Sequence, residues 1–524
     1  MSDRAQDLKA EGNALFAKGD YDAASLKYAQ AIQHDDQNAI LFAEAKTDAQ
    51  KAVELDPTYV KGLGRLAAAC SGLQEYKESA KYWKRAVDAF PKENLSAAEL
   101  KQKEQCIAEL QLACNKATES GSYLVLSREM DGRLPWDYAK AMEQELKAGL
   151  PDTAESSAWP MLRAARFRDR GVEAMRHSGT QSISDEGAYA LDVVTDITDA
   201  LLTDPRIFRI GEIVWLDVYE NHQNKALERY RAWPDHSAEL IKAEALERQR
   251  QEGWDAVRPA IEITVRANIM AGFLADKFSK DPQSALEHYD VVMEILQWGR
   301  RTVWKNVSTE DKGEVFEDYF VTGLRRLRLE ALRFTCGEDD SQIPETQLMN
   351  LYEEAQSMIR DVPDSDLSSL FEVDDDPGFL AAFSVYPKGR ALAMTGMYHQ
   401  RRAQQSAERG DFEAMVKHFA EAFGGFYQAA CAFHPDDEMH TWFLHIALQN
   451  MLMCGAPFDL VLRLLEDLRL SMPKMMRIWG YLQVAEGKDQ MLETDLQLEP
   501  KIRKDLADGK ITLDDRMTPD YLRS

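Results

Sequence analysis

The chain has 524 residues, of which 45% are hydrophobic and 29% are charged, a balance typical of a folded globular protein. Its formal net charge of −26 at pH 7 argues against binding to a nucleic-acid backbone, which requires clustered lysine and arginine side chains. No apolar run approaches the roughly 20 residues that a membrane-spanning helix needs, so we expect no membrane contact.

The charge is unevenly divided along the chain. Residues 1–119 contain 16 Lys and Arg against 19 Asp and Glu, a net charge of −3, so the remainder carries the other −23. A nearly neutral segment attached to an acidic body can still present a local basic groove. The alternative, an acidic body kept for solubility, explains the remainder equally well.

The cysteines and the amino terminus predict a cytoplasmic protein. The six cysteines are widely scattered and form no CxxC pair, which favours reduced thiols over a disulfide framework. The first residues lack the apolar core of a secretory signal.

The start of the chain predicts a repeated helical hairpin. Repeat one covers about residues 5–38 and repeat three about 60–94, and a helix at about 96–119 follows, opened by a Ser-Ala-Ala-Glu capping box. Small and aromatic residues occur at matching offsets, namely Gly12, Tyr21, Ala24, Tyr28 and Ala31 in repeat one and Ala67, Tyr76, Trp83, Ala86 and Pro91 in repeat three. Apolar residues are available in the last helix to cover the final hairpin, namely Leu100, Ile107, Leu110 and Leu112.

Repeat two is too short. The Ala-Val-Glu-Leu-Asp-Pro stretch that ends it begins at Ala52, only 21 residues after the matching position Ala31 in repeat one. Since the repeat period is about 34 residues, about 13 residues are absent after Phe42, where a first helix belongs. Residues 43–55 remain as the predicted second helix. A splice variant or missed exon and a true deletion are both open explanations.

Residues 120–160 have the composition of a linker, and residues 161–495 show helical periodicity without alternating strands. Pro259 is predicted to interrupt one long helix, and residues 496–524 form a charged tail that we expect to be loosely attached. The predicted helices are 136–148, 160–177, 206–231, 235–256, 260–279, 282–299, 310–335, 345–360, 379–408, 411–432, 437–454, 457–470 and 474–486. Two stretches weakly echo the repeat, namely Gly410, Phe412, Met415, Phe419 and Ala422, and Ala285, Tyr289 and Val292.

The sequence gives little support for a catalytic, metal or cofactor site. His434, His440 and His445 form the densest histidine and acid cluster, but their spacing does not stack them on one helix face, so we predict no metal site and no cofactor. There is no nucleophile elbow, glycine-rich phosphate loop or His-Glu-x-x-His motif. The tryptophan and methionine residues of the second half fit a hydrophobic core better than a peptide groove.

The hairpin pattern resembles the tetratricopeptide repeat, and within that family the two-carboxylate-clamp co-chaperones such as the Hsp70/Hsp90-organising protein. Lys9 and Asn13 match the first-repeat pair of the clamp, and Lys61 and Arg65 match the third-repeat pair. The resemblance implies that these four side chains hold the acidic carboxyl terminus of a heat-shock chaperone of the 70 or 90 kDa class. The family's fifth clamp residue, an asparagine, falls within the absent stretch.

The physical chemistry of the four residues agrees with that role. In each pair the members are four apart, so on a helix they point from the same face one turn apart. Each charge-assisted hydrogen bond to a carboxylate contributes about 1.5–3 kcal/mol, and the guanidinium of Arg65 offers a fork suited to a second carboxylate.

The sequence therefore predicts an all-α protein, a tetratricopeptide-like superhelix of helical hairpins in residues 1–119 followed by a larger α-helical repeat or solenoid domain. We expect a non-enzymatic, protein-binding adaptor of co-chaperone type. The alternative is a general helical scaffold for other proteins with a vestigial clamp. An enzyme on a helical fold would require clustered titratable groups that the sequence does not reveal.

Overall fold

The computed structural model confirms an all-α protein in the part of the chain that it describes. These residues are 45–47, 49–51, 53, 59–73, 76–90, 101–103, 105–107, 109–110, 132–150, 153–177, 186–208, 213–234, 236–336, 344–362, 376–485, 487–518 and 521. Within these ranges all the regular secondary structure is helical, apart from one isolated β-bridge between Pro457 and Arg516.

The chain divides into two compact units. The first comprises Met1–Asp131 with Arg209–Leu216, and the second comprises Gly132–Phe208 with Asp217–Ser524. The division into four segments expected from the sequence stays a prediction.

The first unit contains a helical hairpin of α1 (Val60–Gly72) and α2 (Tyr76–Asp88). The ring of Trp83 lies against Gly64 so closely that a Cβ there would be 2.9 Å from the ring, which explains the small residue opposite the aromatic one. Residues from before and after the hairpin share its core, which contains Ala49, Val53, Leu63, Leu66, Cys70, Ala86, Phe90 and Cys106. The prediction that Ile107 covers this hairpin is wrong, because Ile107 is 46% exposed and its neighbour Cys106 is buried instead.

Among the described residues, fifteen longer helices follow the hairpin, of which fourteen lie wholly in the second unit, while α6 begins within residues assigned to the first. They are α3 (Pro135–Ala148), α4 (Ala158–His177), α5 (Glu186–Thr203), α6 (Ile213–Arg229), α7 (Ala238–Glu252), α8 (Trp254–Leu274), α9 (Pro282–Trp298), α10 (Asp318–Thr335), α11 (Glu345–Asp361), α12 (Tyr386–Glu408), α13 (Phe412–Ala432), α14 (Glu438–Met453), α15 (Phe458–Ala485), α16 (Lys488–Leu496) and α17 (Leu498–Ala507). Short 3-10 and π-helical segments at 205–207, 275–279, 299–303 and 381–385 join several of them.

Helix packing in the second unit closes on itself. From α3 to α5, and again from α8 to α15, each helix packs against the next; α5 packs against α8, and α15 packs back against α3. Helix α7 lies beside this series, on α8 and α9. An open solenoid needs polar capping repeats at both ends, whereas a series that closes covers each apolar helix face with a neighbour.

A polar contact between the early and late helices of the second unit involves Asp436. Its carboxylate accepts hydrogen bonds from the Ser156 hydroxyl at 2.6 Å and from the Ser157 backbone N–H at 2.7 Å, immediately before α4 begins. A carboxylate at this position satisfies helix N-terminal donors and interacts favourably with the helix dipole. Ser157 also contacts α15, where the indole N–H of Trp479 donates a hydrogen bond of 3.2 Å to the Ser157 hydroxyl.

A largely buried arginine, Arg206, lies where several helices of the second unit meet. Its guanidinium pairs with Asp204 at 2.7 Å, Asp437 at 2.9 Å and Glu438 at 3.4 Å, and lies 4.3 Å above the ring of Trp479. Burial alone raises the pKa of Asp437, but the charge and hydrogen bonds of Arg206 outweigh burial and hold that pKa below its usual value. Arg206 therefore joins α14 and α15 to the segment that follows α5.

Three local predictions for the second unit were wrong. The helix break lies at Gly253, whose φ of 83° suits glycine, and Pro259 is accommodated inside α8. Helix α5 was not predicted, because its β-branched residues lower helix propensity and its burial comes from tertiary packing. The predicted break between residues 470 and 474 is absent, since α15 continues through Pro473.

The tail is also more firmly attached than its composition suggested. In α17, Ile502 is fully buried, and Glu499 pairs with Arg469 and Arg503 at 3.2 and 2.7 Å. Further on, Met517 is 2% exposed and its N–H donates to the Ala456 carbonyl.

The two stretches that echo the repeat differ in how they pack. Ala285, Tyr289 and Val292 are all buried, and the Tyr289 ring lies against Gly272 of α8 as an aromatic residue does against a small one in a helical hairpin. In the other stretch Phe419 and Ala422 are buried, whereas Phe412 is 68% exposed.

Neighbouring glycines of α13 should respond oppositely to alanine. A Cβ at Gly425 would lie 2.7 Å from the backbone of Gly396 in α12, whereas a Cβ at Gly424 meets nothing within 4 Å. We expect Gly425→Ala to lower the free energy of unfolding by about 1–3 kcal/mol through forced separation of the helices. Gly424→Ala should raise it by up to about 1 kcal/mol through helix propensity. Urea unfolding of the two variants tests this, and equal shifts would contradict the close approach of α12 and α13.

Candidate functional site

Lys61 and Arg65 lie on the outer face of α1. The opposite face of that helix carries Leu63, Leu66 and Cys70, which are buried. The two cationic residues therefore lie one after the other along the side of the helix that faces away from this core. Lys61 is exposed and Arg65 is half-buried. One helical turn separates them, which places their Cβ atoms about 5–6 Å apart. The structure therefore brings together the third-repeat pair as predicted from the spacing.

The first-repeat pair, Lys9 and Asn13, lies outside the described residues, so its position relative to Lys61 and Arg65 stays a prediction. An ammonium and a guanidinium are both groups that donate hydrogen bonds to carboxylates. Ala68 follows on the same side of α1 and is exposed.

The histidine cluster considered from the sequence has structural roles. His440 hydrogen-bonds through Nδ1 with the Ala430 carbonyl at 2.8 Å, and His445 pairs through Nδ1 with Asp495 at 2.5 Å. His434 is buried beside Tyr386. Among the residues that the structure describes, no group of three or more His, Cys, Asp or Glu is arranged to hold a metal ion.

A second pair of histidines, which the sequence did not single out, meets between α12 and α13. The Nδ1 atoms of His399 and His418 are 3.2 Å apart, and Tyr352 and Tyr398 contact the His399 ring edge-to-face. Burial is the main cause that lowers the pKa of both imidazoles. The neighbouring His418 lowers the pKa of His399 further, and the positive charge of Arg402 lowers the pKa of His418 further. Both rings are therefore neutral at pH 7. Nineteen residues separate the pair, so only the helical hairpin brings it together.

The chain is similar to tetratricopeptide co-chaperones over part of its length. It is 42% identical over 82 residues to the heat shock protein sti1 homolog of Schizosaccharomyces pombe, covering 13% of this chain and 14% of that protein. It is 33% identical over 98 residues to the small glutamine-rich tetratricopeptide repeat-containing protein 2 of Saccharomyces cerevisiae, covering 16% and 28%. It is 32% identical over 101 residues to human serine/threonine-protein phosphatase 5, covering 17% and 20%.

These similarities confirm the resemblance to tetratricopeptide co-chaperones and leave most of the chain unmatched. The chain spans less than a third of the length of each of these three relatives. No family model matches the chain. One solved structure is described as a circular tandem repeat protein with novel repeat topology. Its alignment with this chain covers 95% of this chain and 97% of the solved chain, at 11% identity. Its TM-score of 0.21 carries no argument about the fold.

No helix among the described residues has both the length and the apolar character needed to cross a bilayer.

Proposed function

We propose that this protein is a co-chaperone-like adaptor that binds the acidic carboxyl terminus of heat-shock chaperones of the 70 or 90 kDa class. Lys9, Asn13, Lys61 and Arg65 form the binding site in this proposal, with one pair contributed by each of two hairpins. The observation that supports it most directly is the position of Lys61 and Arg65, one turn apart on the outer stripe of α1.

Two further observations support the proposal. The matched relatives include proteins named as heat-shock protein sti1 homologues, and the similarity covers only a segment about as long as residues 1–119. The segment that carries the site is also nearly neutral, whereas the remainder carries −23 of the total charge, so an acidic peptide is not repelled by its own binding surface.

The second unit acts in this proposal as a non-enzymatic surface for a client or second partner, and the protein acts in the cytoplasm. Its described cysteines are free thiols, as expected for a reducing compartment. The similarity to phosphatase 5 covers only 20% of that enzyme and does not bring its activity to this chain.

A second candidate function is a general helical scaffold whose clamp is vestigial. The short second repeat favours it, because a hairpin that lacks its first helix leaves the binding surface incomplete. The two candidates differ in whether a free chain-terminal carboxylate matters for binding.

Peptide binding tests the proposal. We expect an acidic peptide ending in Asp with a free α-carboxylate to bind the full chain with a micromolar Kd. Amidation of that carboxylate should weaken binding about ten- to a hundredfold, since it removes charge-assisted hydrogen bonds of about 1.5–3 kcal/mol. Fluorescence anisotropy with the two peptides measures the difference. Equal affinity for both peptides would contradict the clamp and favour the scaffold.

A further inference from the structure

The strongest unassigned feature of the second unit is the separation of two imidazole nitrogens. The Nδ1 atoms of His399 and His418 are 3.2 Å apart, and the two side chains come from different helices. Two nitrogens that each lie 2.0–2.1 Å from a tetrahedral zinc ion are about 3.3 Å from each other. The pair is therefore already spaced as two ligands of one cation.

The surrounding helices hold this spacing. Gly396 in α12 lies one turn before His399, and its backbone approaches Gly425 in α13 so closely that a Cβ at Gly425 would lie 2.7 Å from it. The ring of His399 is also held edge-to-face between Tyr352 and Tyr398, at centroid distances of 5.9 and 5.2 Å. Rotation of that ring would break both aromatic contacts, so packing against the two tyrosines holds the position of the His399 ring.

The site is partly open to solvent and has charges of both signs around it. Both histidines are half-buried, so an ion can reach them and water can complete its coordination. After burial, the positive charges of Arg402 and Lys417 lower the pKa of His418, and Arg402 also forms a two-point ion pair with Glu345, with Nη1 and Oε2 3.0 Å apart. Glu421 follows His418 by three residues and so lies on the same face of α13, where its carboxylate adds negative charge.

We propose that His399 and His418 form a two-histidine binding site for a borderline divalent cation such as Zn²⁺ or Ni²⁺. Imidazole nitrogen is a preferred ligand for these ions and a poor one for Mg²⁺ and Ca²⁺. Only two protein ligands are in place, so binding is weaker than at a four-ligand structural site and leaves open positions for water or a partner's side chain. The competing interpretation is a hydrogen bond between two neutral rings that binds no ion.

Calorimetric titration of the full chain with NiCl₂ at pH 7.5 decides between them. We expect one ion per chain, and a loss of affinity of about tenfold or more in both His399→Ala and His418→Ala, as is typical when coordination is disturbed. His236→Ala is the control, because His236 is exposed and lies far along the chain from this pair. No binding by the native chain, or equal affinity in native and His399→Ala proteins, would overturn the proposal.

A variant that keeps the fold makes the test independent of stability. His399→Asn retains a group that can hydrogen-bond with His418 but is a poor ligand for Ni²⁺. Its unfolding midpoint without Ni²⁺ serves as its own reference, and Ni²⁺ should leave that midpoint unchanged while it raises the midpoint of the native protein. Equal stabilisation of both proteins by Ni²⁺ would show that the ion binds elsewhere.

Discussion

Arg206→Met should lower the free energy of unfolding of the second unit by about 3–5 kcal/mol. Methionine removes the guanidinium but leaves Asp204, Asp437 and Glu438 buried, at 1%, 0% and 4% exposure. Three carboxylates without their counter-charge repel one another in a medium of low dielectric constant, and each has lost a hydrogen-bond donor. Most of the expected loss of stability therefore comes from the three carboxylates that remain buried without a counter-charge.

Tryptophan fluorescence during urea unfolding reports mainly on the second unit, because eight of the ten tryptophans belong to it. Arg463→Met is the matched control. Arg463 pairs with Asp459 at 2.9 Å but is 72% exposed, so its loss should cost less than about 1 kcal/mol. If the two variants were equally stable, Arg206 would not hold the second unit together.

Restoring the short second repeat should have the largest effect on binding. A segment of about 13 residues inserted between Phe42 and Ala43, taken from the aligned S. pombe relative, restores the repeat period of about 34 residues. If that segment supplies the asparagine implied by the family resemblance, we expect peptide affinity to rise about ten- to a hundredfold through one additional hydrogen bond to a carboxylate.

The control insertion has the same length and carries alanine in place of that asparagine. Both insertions should raise the thermal stability of the first unit, because a restored helix covers apolar faces of its neighbours. Only the asparagine version should bind the peptide more tightly. If neither insertion changed stability or affinity, the chain would not lack a repeat helix.

The sequence was most informative where contacts are local. The α1–α2 hairpin was predictable because small and aromatic residues such as Ala67 and Trp83 recur at matching offsets, and in the structure Trp83 packs against a small residue, Gly64. Lys61 and Arg65 lie on one side of α1 for the same reason, since four residues make about one turn, and their role in a clamp stays a prediction.

Contacts between distant parts of the chain were not predictable from spacing. Asp436 and Ser157 are 279 residues apart, and nothing in either local sequence indicates that one caps the helix that follows the other. His399 and His418 meet only because Gly396 and Gly425 let two helices approach closely. The break at Gly253 was misassigned to Pro259 because a proline near a helix start is tolerated, whereas a positive φ ends the preceding helix.

The central claim is that cationic side chains of the first unit hold a peptide carboxylate. Its most direct test is the affinity of Lys61→Ala for the free-acid peptide, with Lys84→Ala as the control, since Lys84 is also exposed but lies on α2. We predict a loss of about tenfold or more for Lys61→Ala and no change for Lys84→Ala. Native affinity in Lys61→Ala would contradict the claim.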